Sequence, residues 1–380
     1  MRKIIVLISS FLLLLSCVSC AQTRRDELLT DLLNAQKHGK VYYSQFDYYA
    51  PRDNKKLVNS AARQKLGVDI KMYGVDFYYA SGTWFTPSSI NNCRTNLVYI
   101  IRKMWKEHKA VPNFTWHLEN PYVPSDFKEY MGCRYMGSVQ GYPKEHLFVI
   151  NEILNATGSA CGYGNFSRKD NKTGYKNPRA WFDVRCQEIA GIIDQLVDDN
   201  GQPIPIIFRL WHECEDSWQW WGAKYCSAED YKKFFILTER LIKKNAPKSQ
   251  ILWCYCPDRY WKTDSDYMTR YPGDAYVDIL GFDDYSIGTT KANLQETIRK
   301  SRIVSNIACE KGKVSGLMET DNSNEKTSNN FFKNYINKIL ADKQVSFSTV
   351  QTWSTGKLNT KEQIKDRKKF LKQKNIIVCK

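Results

Sequence analysis

Beyond Cys20 the chain has no apolar run long enough to cross a membrane as a helix. It also lacks any cluster of cysteines and histidines at metal-ligand spacing. With five histidines in 380 residues, no zinc-built domain is expected. No internal repeat, low-complexity tract or compositional break divides the sequence, so residues 22–380 are expected to fold as one unit. Acidic residues are the scarcer charge, 40 against 56 basic, giving a net charge of +16. That surplus is spread along the chain. Its densest cluster, KEQIKDRKKFLKQKN, reads as the solvated face of a last helix around Ile364, Phe370 and Leu371, so no nucleic-acid partner is expected.

The N-terminus departs from this composition. Arg2 and Lys3 precede an apolar run from Ile4 to Leu15, followed by small residues and cysteines, which is the pattern of a signal peptide over residues 1–21. Three processing readings stand side by side. LLSC ending at Cys17 resembles a lipobox, CVSC ending at Cys20 resembles one less closely, and Ser19-Cys20-Ala21 suits ordinary cleavage. An exported protein is expected, whether periplasmic, secreted or held at the cell surface through a lipid on Cys17 or Cys20. Ten of the 12 cysteines follow the leader, into a compartment where disulfides can form. Cys133 with Cys161 is one candidate pair. Cys254 and Cys256 share one strand face and read as small core residues.

Eight short apolar runs follow: Val41 to Phe46, Ile70 to Val75, Val111 to His117, Ile204 to Trp211, Ile251 to Tyr255, Val277 to Phe282, Lys313 to Met318 and Phe347 to Trp353. Most are continuous rather than alternating, as parallel strands buried on both faces are. Helical spacing lies between many of them, in NNCRTNLVYIIRKMWKEH, in WFDVRCQEIAGIIDQLVDDNG, after a Ser227/Asp230 capping box, and around Leu294 to Ile307 and Phe331 to Leu340. Helices after the first and fifth runs are weakly marked. This alternation predicts a single (β/α)8 TIM barrel, an α/β fold, with long loops on its C-terminal face. The longest runs from Pro121 to Lys176.

Two glutamates close apolar runs, Glu213 in IPIIFRLWHECEDSWQWWG and Glu319 in KVSGLMETD. Glycoside hydrolysis needs one protonated carboxyl to release the leaving group and one ionised carboxyl to attack the sugar or activate water. Two glutamates facing one cleft supply both. Trp218, Trp220 and Trp221 follow Glu213 closely, and flat indole faces with one wet edge suit sugar rings. Burial of Trp220 and Trp221 under a loop is the competing reading. Arg209 shares strand parity with Glu213 and is expected to bias nearby carboxylates toward ionisation.

With HE ending the fourth run, WxWWG behind it, YPGDAYVDILGFDDY in the sixth and a glutamate closing the seventh, the chain resembles glycoside hydrolase family 26, a family largely of endo-β-1,4-mannanases. The resemblance extends from Val41 to Trp353. It implies a retaining double displacement with Glu213 as acid/base and Glu319 as nucleophile, their carboxyls about 5 Å apart. It further implies that His117 and His212 orient carboxylates and bind hydroxyls, that Trp218 stacks on sugar near the scissile bond, and that Tyr285 donates to the nucleophile. Asp283 is implied to bind substrate or orient Tyr285, and Trp353 to floor the subsite of the sugar under attack. The expected substrate is mannan, glucomannan or galactomannan, with mixed-linkage glucan or β-1,3-xylan as alternatives and a non-catalytic glycan-binding role as the reading from another class. Neither cofactor nor metal is required, and a monomer is expected. Departures from the family pattern are Cys254 and Cys256 in place of serines, Cys214-Glu215-Asp216 in place of a neutral turn, and Ser354 in place of a sugar-binding arginine.

Overall fold

The computed structural model describes residues 23–49, 60–81, 87–121, 149–158, 175–215, 218–321, 329–353 and 358–379. The leader, Cys133, Cys161, Asp216 and Ser354 therefore lie outside the described residues. Helix α1 (Arg24–Lys37) leads into β1 (Val41–Gln45), then α2 (Ala61–Leu66), β2 (Met72–Asp76), α3 (Tyr78–Ser81), α4 (Pro87–His108) and β3 (Val111–Thr115). Next come α5 (Val149–Asn155), α6 (Pro178–Ile193), β4 (Ile206–Arg209), α7 (Ala228–Asn245), β5 (Ile251–Tyr255), α8 (Asp264–Met268), β6 (Ile279–Asp283), α9 (Lys291–Glu310) and β7 (Val314–Thr320). A π-helical stretch, Phe332–Ile336, runs into α10 (Asn337–Leu340), and β8 (Thr349–Thr352), α11 (Lys361–Leu371) and β9 (Ile376–Ile377) complete the order.

All strand pairings are parallel, in the order β2-β3-β4-β5-β6-β7-β8-β1-β9. The expected barrel is present, and its eight long strands coincide with the eight apolar runs. Seven of them, all but β1, are buried at every position, as a sheet enclosed by its own crossover helices must be. The weakly marked helices after β1 and β5 are short, six and five residues.

Differences from the sequence reading have local causes. Strand β4 is shorter than its apolar run, because Pro203 and Pro205 cannot donate to a ladder and the chain turns left-handed at Trp211 (φ 48°). Ser227 caps α7 by accepting from Asp230 N–H at 3.0 Å, while reciprocal capping boxes form at Thr263/Asp266 and Thr360/Gln363. The expected helix over Phe331 to Leu340 opens as a π-helical turn, with the Asp366 carboxylate accepting from the N–H groups of Phe332 (2.8 Å) and Lys333 (3.2 Å). On α11 the charge reading needs correcting at Arg367. That residue is buried and donates at 2.7 Å to Gln45 Oε1, which points with Tyr43 into the layer between β1 and the outer helices.

Two elements were not anticipated. Helix α1 closes the N-terminal mouth, where Arg24 pairs with Asp198 (2.6 Å), Arg25 with Asp278 (2.5 Å), and Gln36 accepts from Ser315 N–H (2.7 Å). Strand β9 pairs with the start of β1 (Val41 with Ile376) on the edge that faces β2. At that seam the upper part of β1 meets β2 directly, through a bridge between Phe46 and Gly74 and a 2.9 Å bond from Asp47 N–H to Gly74 O. Glycine is required there, since a Cβ would lie 2.6 Å from Phe46 Cδ2 and 3.0 Å from both Phe46 Cα and Gln351 Oε1. Gln351 Oε1 in turn accepts from Ser44 (2.7 Å) and Asn113 (3.0 Å), so the seam rests on a polar layer within the core.

Replacing Gly74 with Ala is expected to destabilise the fold by about 1–3 kcal/mol, because the obstruction includes backbone as well as side chain. Urea unfolding checks this, and an unchanged midpoint counts against the seam as a tight contact.

Candidate active site

The C-terminal ends of β2, β3, β4, β5, β6 and β7 deliver Asp76, His117, Arg209 to Glu213, Cys256, Asp283 and Glu319 to one place. Arg209 is fully buried at its centre. Its guanidinium donates to Asp283 Oδ2 through Nη1 and to Glu319 Oε2 through Nη2. The second oxygen of Glu319 accepts from the Tyr285 hydroxyl. Burial and the charges of Glu319 and Glu213 hold the Tyr285 phenol well above its usual pKa, so it remains a donor. Burial disfavours the arginine charge, yet the two carboxylates outweigh it and keep Arg209 protonated.

Glu213 makes no bond to Arg209. Burial pushes its carboxyl well above the usual range, and the charges of Asp283, Glu319 and Asp258 push it further. Burial also raises Asp283, against the pull of Arg209. Asp283 is bonded directly to the guanidinium and also receives the Cys256 thiol at 3.1 Å, so the cluster's proton belongs on Glu213. The site thus holds one protonated carboxyl beside one oriented by two donors.

The backbone presenting Glu213 is strained. Both Trp211 (φ 48°) and Glu213 (φ 54°) are left-handed, at a cost of about 1–3 kcal/mol each. Three bonds hold that turn: Tyr231 hydroxyl to Trp211 O (2.9 Å), Trp221 Nε1 to His212 O (2.8 Å), and Glu213 N–H to Cys256 O (2.8 Å). The sugar-facing expectation for Trp220 and Trp221 is overturned here. Both are fully buried, Trp221 clamping the turn and Trp220 donating to Leu118 O at 2.8 Å. Trp218 alone of the three stays partly exposed, 6.2 Å from the His117 ring.

His117 bonds through Nδ1 to Asp76 Oδ2 at 2.5 Å. Burial alone would raise Asp76, but His117 and the N–H groups of Tyr78 and His117 bring it below the usual range. It is therefore the acceptor, and Nδ1 of His117 carries the proton. The His212 ring stands edge-on to His117 at 4.7 Å and is held neutral by burial, Arg209 and His117. Trp353 stacks on Phe46 at 4.1 Å, at the joint between β8 and β1, with its centroid 6.4 Å from His117. All nine residues singled out from the sequence lie in or around this cluster, Asp283 at its buried base (1% exposed).

Asp76, Asp258 and Cys256 were missed. Asp76 also closes an apolar run, KMYGVD, the same signal that marks Glu213. Cys254 is core as expected, whereas Cys256, one strand repeat further on, is a polar member of the site. A cation is a poor occupant. His212, Asp283 and Glu319 each bring one donor atom within 4.8 Å of the others, yet Arg209 already bridges the two carboxylates and supplies the countercharge.

The Glycosyl hydrolase family 26 model matches residues 175–355. A mannan endo-1,4-beta-mannosidase of Bifidobacterium adolescentis is 30% identical over 186 residues, 46% of this chain and 19% of that protein, so the chain spans about a fifth of that relative. A mannan endo-1,4-beta-mannosidase of Bacillus subtilis is 24% identical over 317 residues, 75% of this chain and 74% of that protein. Among solved structures, GH26C from Muricauda sp. superposes with a TM-score of 0.74 at 22% identity, covering 93% of this chain and 91% of that one. A β-mannanase from a symbiotic protist of the termite Reticulitermes speratus, complexed with gluco-manno-oligosaccharide, gives 0.65 at 17% identity, covering 94% of each chain. At these identities the structures establish the fold.

Glu215, half-buried beside Tyr255, is pushed up to about 7 by burial, against Arg270 and Tyr255. Unfolded, a glutamate titrates near about 4.3. Its neutral form is therefore the stable folded form, and stability is lost as pH rises from there through about 7. Glu215→Gln is expected to match the parent at acid pH and to gain about 1–3 kcal/mol over it by neutral pH, with a plateau above. Urea unfolding across that range checks it, and a pH-independent difference rules it out.

Proposed function

Because the chain belongs to glycosyl hydrolase family 26, we propose that it is an exported, retaining endo-β-1,4-mannanase with Glu213 as acid/base and Glu319 as nucleophile. The observation that carries this reading is the unequal treatment of the two glutamates, Glu319 gripped by Arg209 and Tyr285 and Glu213 left unpaired with a raised pKa. Glu319 attacks the anomeric carbon while Glu213 gives its proton to the glycosidic oxygen, and the leaving chain departs with that proton. Glu213, now ionised, takes a proton from water. That water attacks the anomeric carbon from the vacated side, releasing Glu319 and restoring both groups. His117 and Trp218 face the sugars beside the scissile bond, and Trp353 on Phe46 floors the subsite of the sugar under attack. β-Mannan as substrate is supported by the activities named for the two mannosidase relatives and by the glucomannan-type ligand of the protist enzyme. Export is supported by the leader pattern of residues 1–21, Arg2 and Lys3 ahead of the apolar run from Ile4 to Leu15.

Reducing-sugar release by the protein lacking its leader is expected from konjac glucomannan and carob galactomannan, with Glu319→Ala reducing it more than about a thousandfold. Release only from mixed-linkage glucan or β-1,3-xylan keeps the mechanism and replaces the substrate. Retained binding with no turnover by the parent on any of these polymers favours the glycan-binding reading. Since Glu213 must be protonated for leaving-group departure, kcat/KM is expected to fall on the alkaline side as Glu213 ionises. Glu213→Gln should abolish that alkaline limb on an aryl glycoside whose leaving group needs no proton. Direct NMR observation of the first-formed anomer checks retention, and an initial α-anomer refutes it.

A further inference from the structure

Tyr260 and Tyr99 are the large apolar side chains more than half exposed among the described residues, at 55% and 52%. Tyr99 lies midway along α4, on the outer wall of the barrel. Tyr260 is on the loop after β5, hence on the face that carries the site. That loop is fixed on both sides of the exposed ring. Asp258, buried and close enough to act on Glu213, accepts the Tyr260 N–H at 3.0 Å. The buried ammonium of Lys300, from α9, donates to Arg259 O. Trp261, the next residue, is buried under Lys300 (5.4 Å) and packed edge-on to Tyr267 (4.8 Å) and Phe282 (5.8 Å). Arg259 lies over the Tyr260 ring at 5.0 Å from its centroid. With both neighbours anchored, the Tyr260 ring presents a flat face to solvent in a fixed place, beside a cation and on the side of the barrel that carries the site.

Position around the barrel gives the direction. Strand β5 lies diametrically across the barrel from β1, whose end carries Phe46 under Trp353. A chain whose reacting sugar rests on Trp353 and whose leaving group takes its proton from Glu213 runs outward past Asp258 toward Tyr260. We infer that Tyr260, backed by Arg259, is a stacking platform for a pyranose ring of the departing part of a β-1,4-linked chain. The inference rests on the acid role proposed for Glu213. A flat ring beside a guanidinium fits a sugar, whose apolar face stacks and whose equatorial hydroxyls accept from N–H donors.

The test compares Tyr260→Ala, Tyr260→Trp and the parent on an aryl β-mannobioside, which has no sugar on the leaving side, and on mannohexaose. Tyr260→Ala is expected to lower kcat/KM on mannohexaose by about tenfold, leave the aryl substrate unchanged and shift the cleavage pattern, with Tyr260→Trp restoring the parent values. Equal effects on both substrates, or none on either, overturn the platform while leaving the enzyme reading intact. Should the parent turn over neither substrate, the mannanase reading fails. Affinity electrophoresis in glucomannan then decides for the platform: retardation lost in Tyr260→Ala supports it, and unchanged retardation removes it.

Discussion

A single guanidinium organises the site. Arg209 sits fully buried among Asp283, Glu319 and Glu213, where charges interact far more strongly than in water and any left uncompensated is severely penalised. One positive charge cannot neutralise three carboxylates, so the cluster must keep a proton. Because the arginine grips Asp283 and Glu319 and leaves Glu213 unbonded, geometry chooses where that proton rests. The difference between the two glutamates is thus a property of β4, which carries the arginine, as much as of the glutamates. Asp283 and Cys256 serve this arrangement by fixing the guanidinium rather than by facing the cleft.

The aromatic residues divide the same way. Trp211, Trp220 and Trp221 form a packed cluster with Phe234, ring centroids 4.6 to 5.8 Å apart where they pair with Trp211 or with each other. Their indole N–H groups end on Thr238 and on two backbone carbonyls. They stabilise the left-handed turn that points Glu213 inward, an indirect contribution to the chemistry. Trp218 and Trp353 keep partly exposed rings, and among the described residues only these two fit the description of sugar-facing tryptophans.

The barrel was legible in the sequence because parallel strands buried on both faces must be continuously apolar, a pattern composition cannot mimic by chance eight times over. The catalytic candidates were legible because an acid at the end of such a run cannot avoid the C-terminal face. Burial on either side of a loop was not legible: WQWW gives no local sign of which indoles turn inward, since that depends on α7 and β3. Arg367 was misread for the same reason, its inward contact with Gln45 being set by how α11 docks and not by its lysine-rich neighbours. Strand β9 escaped notice because it is only a two-residue ladder, whereas α1 carried a legible signal that was passed over, Leu28, Leu29, Leu32 and Leu33 at helical spacing with Leu28, Leu32 and Ala35 buried.

The seam of the barrel bears on how the molecule is made. Tyr43 of the first strand bonds Thr352 of the eighth across 309 positions, and the other edge of β1 takes β9, which comes later still. A ribosome-bound chain that has not yet produced these residues has an unclosed sheet with two raw edges, and its buried polar layer lacks Gln351, the acceptor that Ser44 and Asn113 share. Such long-range closure is slow, and it has to wait for Thr352 and Ile376. The β1 pairings that lock the finished barrel are thus also the last it can make.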